Sequence, residues 1–169
     1  SEHSIPVFKP KNVNQRDFVK LLKGLDLDLI VSVASSQIFR KRILKLPHLG
    51  CINVHGALLP MYRGINPSFW VLLEGEKETG VTVHFMDEKI DRGEIVVQRP
   101  FPVSEDETLD SLSLKVAMEG ARAVSEAISL LTNGVKRESL PPQPKEGSYH
   151  SFPKREDGRK FRGRGLKFL

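Results

Sequence analysis

The sequence predicts an α/β protein built on a doubly wound, mostly parallel sheet. Strand-like and helix-like segments alternate at intervals of about 20 to 30 residues, the rhythm of βαβ units. Asp26–Ala34 reads DLDLIVSVA, and its unbroken Leu29–Val33 run suits a strand covered on both faces, as parallel strands are. Polar residues follow the ends of these runs, where open α/β sheets place ligand sites.

Size and composition agree with one globular domain. The chain has 169 residues, 39% apolar and 28% charged, enough to build a core and too apolar for a disordered chain. No apolar run approaches the roughly 18 residues that span a bilayer. No charged-then-apolar leader opens the sequence, and its single cysteine, Cys51, permits no internal disulfide, so a cytoplasmic location is expected. Cys51 opens an apolar strand and reads as a packing residue. The net charge of +5 is uneven: Val135–Leu169 carries ten Lys and Arg against four Asp and Glu, leaving the rest at −1. The expected division is a catalytic domain over 1–134 and a basic, Pro/Gly-rich arm over 135–169.

In chain order, Ile5–Phe8 is extended and Asn14 can cap a helix whose Phe18, Leu21, Leu22 and Leu25 share one face. After the Leu29–Val33 strand come the polar Ser35, Ser36 and Gln37, and a short helix over Phe39–Leu46 stopped by Pro47. Cys51–Val54 is a strand running into the loop that ends LLPMYRG. Pro67 opens a helix capped by Asn66 and ended by Gly75. Thr79–Asp87 alternates, with Val81, Val83 and Phe85 on one face and Thr82, His84 and Met86 on the other. Glu94–Val97 is a further strand, restricted by Pro100 and Pro102. Thr108 caps the longest helix, whose stripe is Leu109, Leu112, Val116, Ala123, Ala127 and Leu131. Gly120 within it predicts close packing on the sheet, and Gly134 follows its end.

Nucleotide and metal motifs are absent: no GxGxxG, GxxxxGK[ST], CxxC or HExxH occurs. Asn53 and His55 stand two apart on an extended segment, so their side chains share a face. An Asn amide can donate to an oxyanion, and an imidazole paired with a carboxylate of the Asp87–Gly93 loop can move protons near neutral pH. Together they suit addition to a carbonyl and collapse of a tetrahedral intermediate. On the residues alone, an equally open reading is that Asn53 and His55 only tie down the loop backbone.

Four ordered motifs carry a resemblance. Asn53-x-His55, Leu58-Leu59-Pro60-x-Tyr62-Arg63-Gly64, Gly80-Val81-Thr82-Val83-His84 and Asp87-x-x-x-Asp91-x-Gly93-x-Ile95 resemble the catalytic signature of the 10-formyltetrahydrofolate-dependent formyltransferases. That family acts on methionyl-tRNA, glycinamide ribonucleotide or amino-sugar nucleotides. The resemblance covers roughly Ile5–Leu131. It implies a catalytic trio of Asn53, His55 and Asp91 acting on 10-formyltetrahydrofolate without a metal. It also implies folate contacts from Ser36, Gln37, Ile38 and Phe39 on one wall and Asp87 and Ile90 on the other, with Tyr62 and Arg63 on the substrate loop. His84 matches a position where some members have His, and a supporting or simply packed role is expected for it.

The sequence also departs from the family. Gly56-Ala57 replaces the common Pro-Ser, which is expected to affect rate more than reaction class. The resemblance further implies a strand, a glycine-containing loop and a helix ahead of Ser1, a region that helps bind the acceptor. The expectation is therefore a sheet lacking its N-terminal βαβ portion, with an exposed apolar edge. Such a chain would be weakly active alone, or would be completed by a homo-oligomer or a partner chain. The basic arm interleaves Lys and Arg with Tyr149, Phe152, Phe161 and Phe168. It could hold RNA phosphates and stack bases, or pack its aromatics on the domain. The expected partners are folate and an amine acceptor, methionyl-tRNA or an amino-sugar nucleotide, with no membrane. Two other readings are a hydrolase releasing formate from the same donor and an inactive paralogue that binds RNA or protein.

Overall fold

The computed structural model describes residues 5–169. Its centre is a four-stranded sheet in the order β1-β2-β4-β5, formed by β1 (Ile30–Val33), β2 (Cys51–His55), β4 (Glu78–Phe85) and β5 (Ile95–Pro102). The α/β class stands as expected, but the sheet is mixed rather than mostly parallel. β1 and β2 run parallel, while β2–β4 and β4–β5 are antiparallel. The reversal has a local cause. Helix α3 (Pro67–Glu74) does not cross over the sheet as a βαβ helix would. It packs Phe69, Val71, Leu72 and Leu73 into a side core with Leu112 and Phe161, and Gly75 at φ 77° then turns the chain back antiparallel to β2.

Side-chain alternation gives the sheet two unlike faces. Ile52, Val81, Val83, Phe85 and Val97 form the apolar face. They pack with Ala123, Ala127 and Leu131 of α4 (Leu109–Thr132). Gly120 permits this approach: a Cβ there would lie 3.2 Å from Val54 Cγ1. Thr108 caps α4 through a capping box with Ser111, as expected from sequence. The opposite face carries Ser32, Asn53, His55, Thr82, His84 and Gln98, a polar set that registers across the strands. Pro100 and Pro102 lie in β5, an edge strand paired among the described residues with β4 alone, where a missing N–H is tolerated.

Several boundaries differ from the sequence reading: β5 runs on to Pro102 rather than ending at Val97, and two helices start or end elsewhere. Helix α1 (Arg16–Gly24) starts after Gln15, not Asn14. Asn14 instead donates to the Ile38 carbonyl at 2.8 Å and accepts from the Arg40 N–H at 2.9 Å, so a long-range bond has taken the residue best suited to cap. Helix α2 (Lys41–Leu44) is one turn, shorter than Phe39–Leu46. β1 is parallel, as its apolar run implied, but it is an outer strand, and Val31 and Val33 face solvent. Cys51 packs in the core, where burial pushes its thiol up to about 11. No helix among the described residues is long and apolar enough to cross a membrane.

The segment after Gly134 returns to the body of the protein. A 3₁₀ turn at Arg137–Ser139 brings Arg137 to Glu94 and over the Phe85 ring. Strand β6 (Tyr149–His150) pairs in parallel with β3 (Arg63–Gly64), and α5 (Arg155–Gly163) buries Phe161 completely, stacked on Phe69 at 4.8 Å. Tyr149, Phe152 and Phe168 remain exposed.

Candidate active site

The polar face of the sheet builds the site. Ser32, Asn53 and His84 are register partners across β1, β2 and β4, so they form one row. His55 lies one step along β2, opposite Thr82. Thr82 is not free for chemistry. Its hydroxyl donates to the Ala57 carbonyl at 2.7 Å and accepts from Leu59 N–H at 3.1 Å, while Gln98 donates to the Leu59 carbonyl. These bonds pin the Gly56–Tyr62 loop over the sheet, which explains why β4 is buried on both faces. Gly56 also fills a tight place, since a Cβ there would meet Val116 Cγ1 at 2.9 Å.

The Asp87–Gly93 loop folds back over the row. At Gly93 a Cβ would collide with the Phe85 carbonyl oxygen at 1.8 Å, so only glycine lets the loop lie this close to β4. Asp91 sits at φ 51°, a left-handed conformation that Asp tolerates better than most residues. Its carboxylate reaches three groups. Oδ2 accepts the Gly64 N–H at 2.8 Å and lies 3.6 Å from His55 Nδ1, and Oδ1 lies 3.5 Å from His84 Nε2.

The ring hydrogen bonds fix both histidines. His55 Nε2 donates to the Tyr62 carbonyl at 2.8 Å, leaving Nδ1 toward Asp91. His84 Nδ1 donates to the Phe85 carbonyl at 2.8 Å, so its Nε2 faces Asp91 and accepts from Asn53 Nδ2 at 3.3 Å. Burial lowers the pKa of His55, and the Asp91 charge offsets only part of this. Burial works against the Asp91 carboxylate, but its place between the His84 and His55 rings and the hydrogen bond it accepts from the Gly64 N–H outweigh this and hold its pKa below the usual range. Near neutral pH the site therefore contains an ionised carboxylate beside a neutral His55 imidazole.

Asn53, His84 and Asp91 open onto a cleft of about 130 Å³, with Ser32 and Ser35 on its walls. Gln37, Ile38 and Phe39 line one side, and Asp87 and Ile90 the other. Ile38 and Ile90, 66% and 47% exposed, form two apolar lips. Ser36 is exposed and does not line the cleft, and the Gln37 side-chain oxygen is occupied by the Val13 N–H. His55 lies behind Asp91 rather than on the cleft wall. Tyr62 and Arg63 also lie outside it. Tyr62 stacks on His150 and donates to Glu76, while Arg63, 2% exposed, donates to Asp91 O, Gln143 Oε1 and Pro144 O. Arg63 thus clasps the Asp91 loop to the C-terminal segment. From sequence alone His84 reads as a supporting or packed residue, and Ser32 is hidden inside an apolar run. The alternation of Thr79–Phe85 was the signal that put His84 on the polar face. No group of three or more His, Cys, Asp or Glu among the described residues is arranged to hold a metal.

A family model described as Formyl transferase matches residues 1–128. The chain belongs to the formyl transferase family. Methionyl-tRNA formyltransferase of Geotalea uraniireducens is 44% identical over 132 residues, covering 78% of this chain and 42% of that protein. The enzyme of the same name from Pelotomaculum thermopropionicum is 40% identical over 156 residues, covering 91% and 49%. This formyl transferase chain therefore spans about half the length of the curated relatives it matches. Among solved structures, the formyltransferase PseJ from Anoxybacillus kamchatkensis superposes with a TM-score of 0.67 at 27% identity, over 94% of this chain and 76% of that one. That structure is a complex with UDP-4,6-dideoxy-4-formamido-L-AltNAc and tetrahydrofolate. Glycinamide ribonucleotide transformylase 1 from Symbiobacterium toebii gives 0.68 at 26% identity, over 78% and 66%.

Proposed function

We propose that this chain carries the catalytic site of a formyltransferase that moves a formyl group from 10-formyltetrahydrofolate to a primary amine, with methionyl-tRNA as the acceptor. The observation that carries this reading is the convergence of Asn53, His84 and Asp91 on one cleft, with His55 behind them. The cleft has apolar lips and polar walls, which suits a flat heteroaromatic donor.

The chemistry follows from the groups present. A neutral amine attacks the formyl carbon, forming a C–N bond and an oxyanion. One N–H of Asn53 Nδ2 is held by His84, which aims the other at the cleft and at the oxyanion. The adduct's ammonium must lose a proton and the folate N10 must gain one before the old C–N bond breaks. Ionised Asp91 accepts that proton or passes it through water, while His55, bonded to the Tyr62 carbonyl, holds the loop behind the carboxylate. Formate release is the same sequence with water in place of the amine.

The amino-sugar-nucleotide reading is kept because PseJ, whose structure is a complex with a UDP-formamido sugar, superposes over 94% of this chain. The test is to incubate the protein with 10-formyltetrahydrofolate and, separately, methionyl-tRNA, a UDP-amino sugar or buffer, following tetrahydrofolate and formate. Acceptor-dependent tetrahydrofolate release identifies the transferase and its acceptor. Formate release without an acceptor identifies the hydrolase, and no turnover with retained, salt-sensitive tRNA binding identifies the binding paralogue.

A further inference from the structure

Strand β1 inverts the usual pattern. Its two valines, Val31 and Val33, are exposed, while the polar Ser32 between them is only 4% exposed. A buried polar group normally has a partner, yet Ser32 Oγ has no hydrogen-bond partner among the described residues. An unmade bond of this kind disfavours folding, so it is a feature to be explained. Ser32 lines the cleft with its Oγ buried, and it is the register partner of Asn53 on the adjacent parallel strand. Neighbouring strands are about 4.8 Å apart, so both side chains can reach one small atom between them. Asn53 has one Nδ2 hydrogen committed to His84, which leaves a single N–H for the cleft. A developing oxyanion is best held by more than one donor.

We infer that the Ser32 hydroxyl is a second hydrogen-bond donor to the formyl oxygen, acting beside the Asn53 amide; this rests on the formyl-transfer reading above. The bond satisfies an otherwise orphaned hydroxyl and forms only when a formyl oxygen enters the cleft. It makes Ser32 a substrate-contacting residue that separates the formylated donor from its deformylated product.

The test compares two stable folate analogues, 10-formyl-5,8-dideazafolate and 5,8-dideazafolate, titrated against the chain and its Ser32→Ala variant. The unaltered chain is expected to bind the formylated analogue more tightly. Ser32→Ala is expected to lose roughly threefold to tenfold of that preference, with binding of the unformylated analogue unchanged, the effect of one hydrogen bond. Its melting temperature should equal or exceed that of the unaltered chain, because no internal bond is lost. Unchanged preference in the variant overturns the proposal. So does equal weakening of both analogues together with a lower melting temperature, which would mark a structural hydroxyl. If the unaltered chain binds neither analogue, the formyl-transfer reading fails and this inference fails with it.

Discussion

His55 Nδ1 lies 3.6 Å from Asp91 Oδ2, while its other ring nitrogen donates to the Tyr62 carbonyl. In the neutral ring the proton is on Nε2, so Nδ1 turns a lone pair toward a carboxylate and no hydrogen bond joins them. Protonating His55 would create one, but burial opposes the charge and prevails. The residue that sequence reasoning cast as a proton carrier is therefore held neutral behind the carboxylate. It also anchors the loop, so the anchoring and chemical readings of His55 describe the same side chain.

Stability is expected to fall on acidification. The unfolded chain binds a proton on His55 near pH 6.5, and the native chain resists it, so stability is complete above that pH and declines below it toward the folded value. Asp91 adds a contribution present above pH 3.8 that is lost as pH falls through its depressed folded value. Urea melts between pH 8 and 5 should show the decline, and His55→Asn should flatten it. An equal slope in the variant would place the effect elsewhere.

Asp91→Asn keeps the shape that meets the Gly64 N–H and removes the charge. Formyl transfer should drop by about 10²-fold or more, as should transfer by Asn53→Ala. Initial rates with 10-formyltetrahydrofolate and the identified acceptor provide the measurement. Near-normal turnover in either variant removes that residue from the chemistry.

Gly64 stands at φ 102°, and a Cβ there would fall 2.1 Å from the His150 carbonyl oxygen. It also presents its N–H to Asp91. Gly64→Ala is expected to cost about 2 kcal/mol or more in denaturant unfolding, because both the backbone conformation and the β3–β6 pairing resist a side chain. The variant should also lose activity beyond its loss of stability, since the Asp91 carboxylate loses its anchor.

Much of the site was legible because alternation in Thr79–Phe85 and the Asn53-x-His55 pair fix side-chain faces without knowledge of topology. The direction of β4 was not legible. A helix between two strands normally signals a parallel crossover, and the partner that holds α3 aside, Phe161, lies about ninety residues downstream of it. Ser32 was missed for a related reason. One serine in LIVSV looks like a tolerated interruption of an apolar run, and only the register with Asn53 shows that the exposed faces are the valines. Asn14 reads as a cap of the nearest helix because its true partners, Ile38 and Arg40, are distant in sequence.

The basic C-terminal segment divides into a docked part and a free part, and the two give opposite expectations. Phe161 is completely buried against Phe69 and also packs on Phe168, while Phe152 is 67% exposed. Phe161→Ala should destabilise the whole domain by about 3 to 5 kcal/mol, the cost of emptying a buried aromatic site. Phe152→Ala should change stability by less than about 0.5 kcal/mol. Cooperative unfolding monitored at Trp70, which packs edge-on against Phe69, would report both. If the two variants unfold alike, the α5 segment is not part of the folded unit in solution, and the clasp that Arg63 makes from the Asp91 loop to Gln143 and Pro144 would not be secured by it.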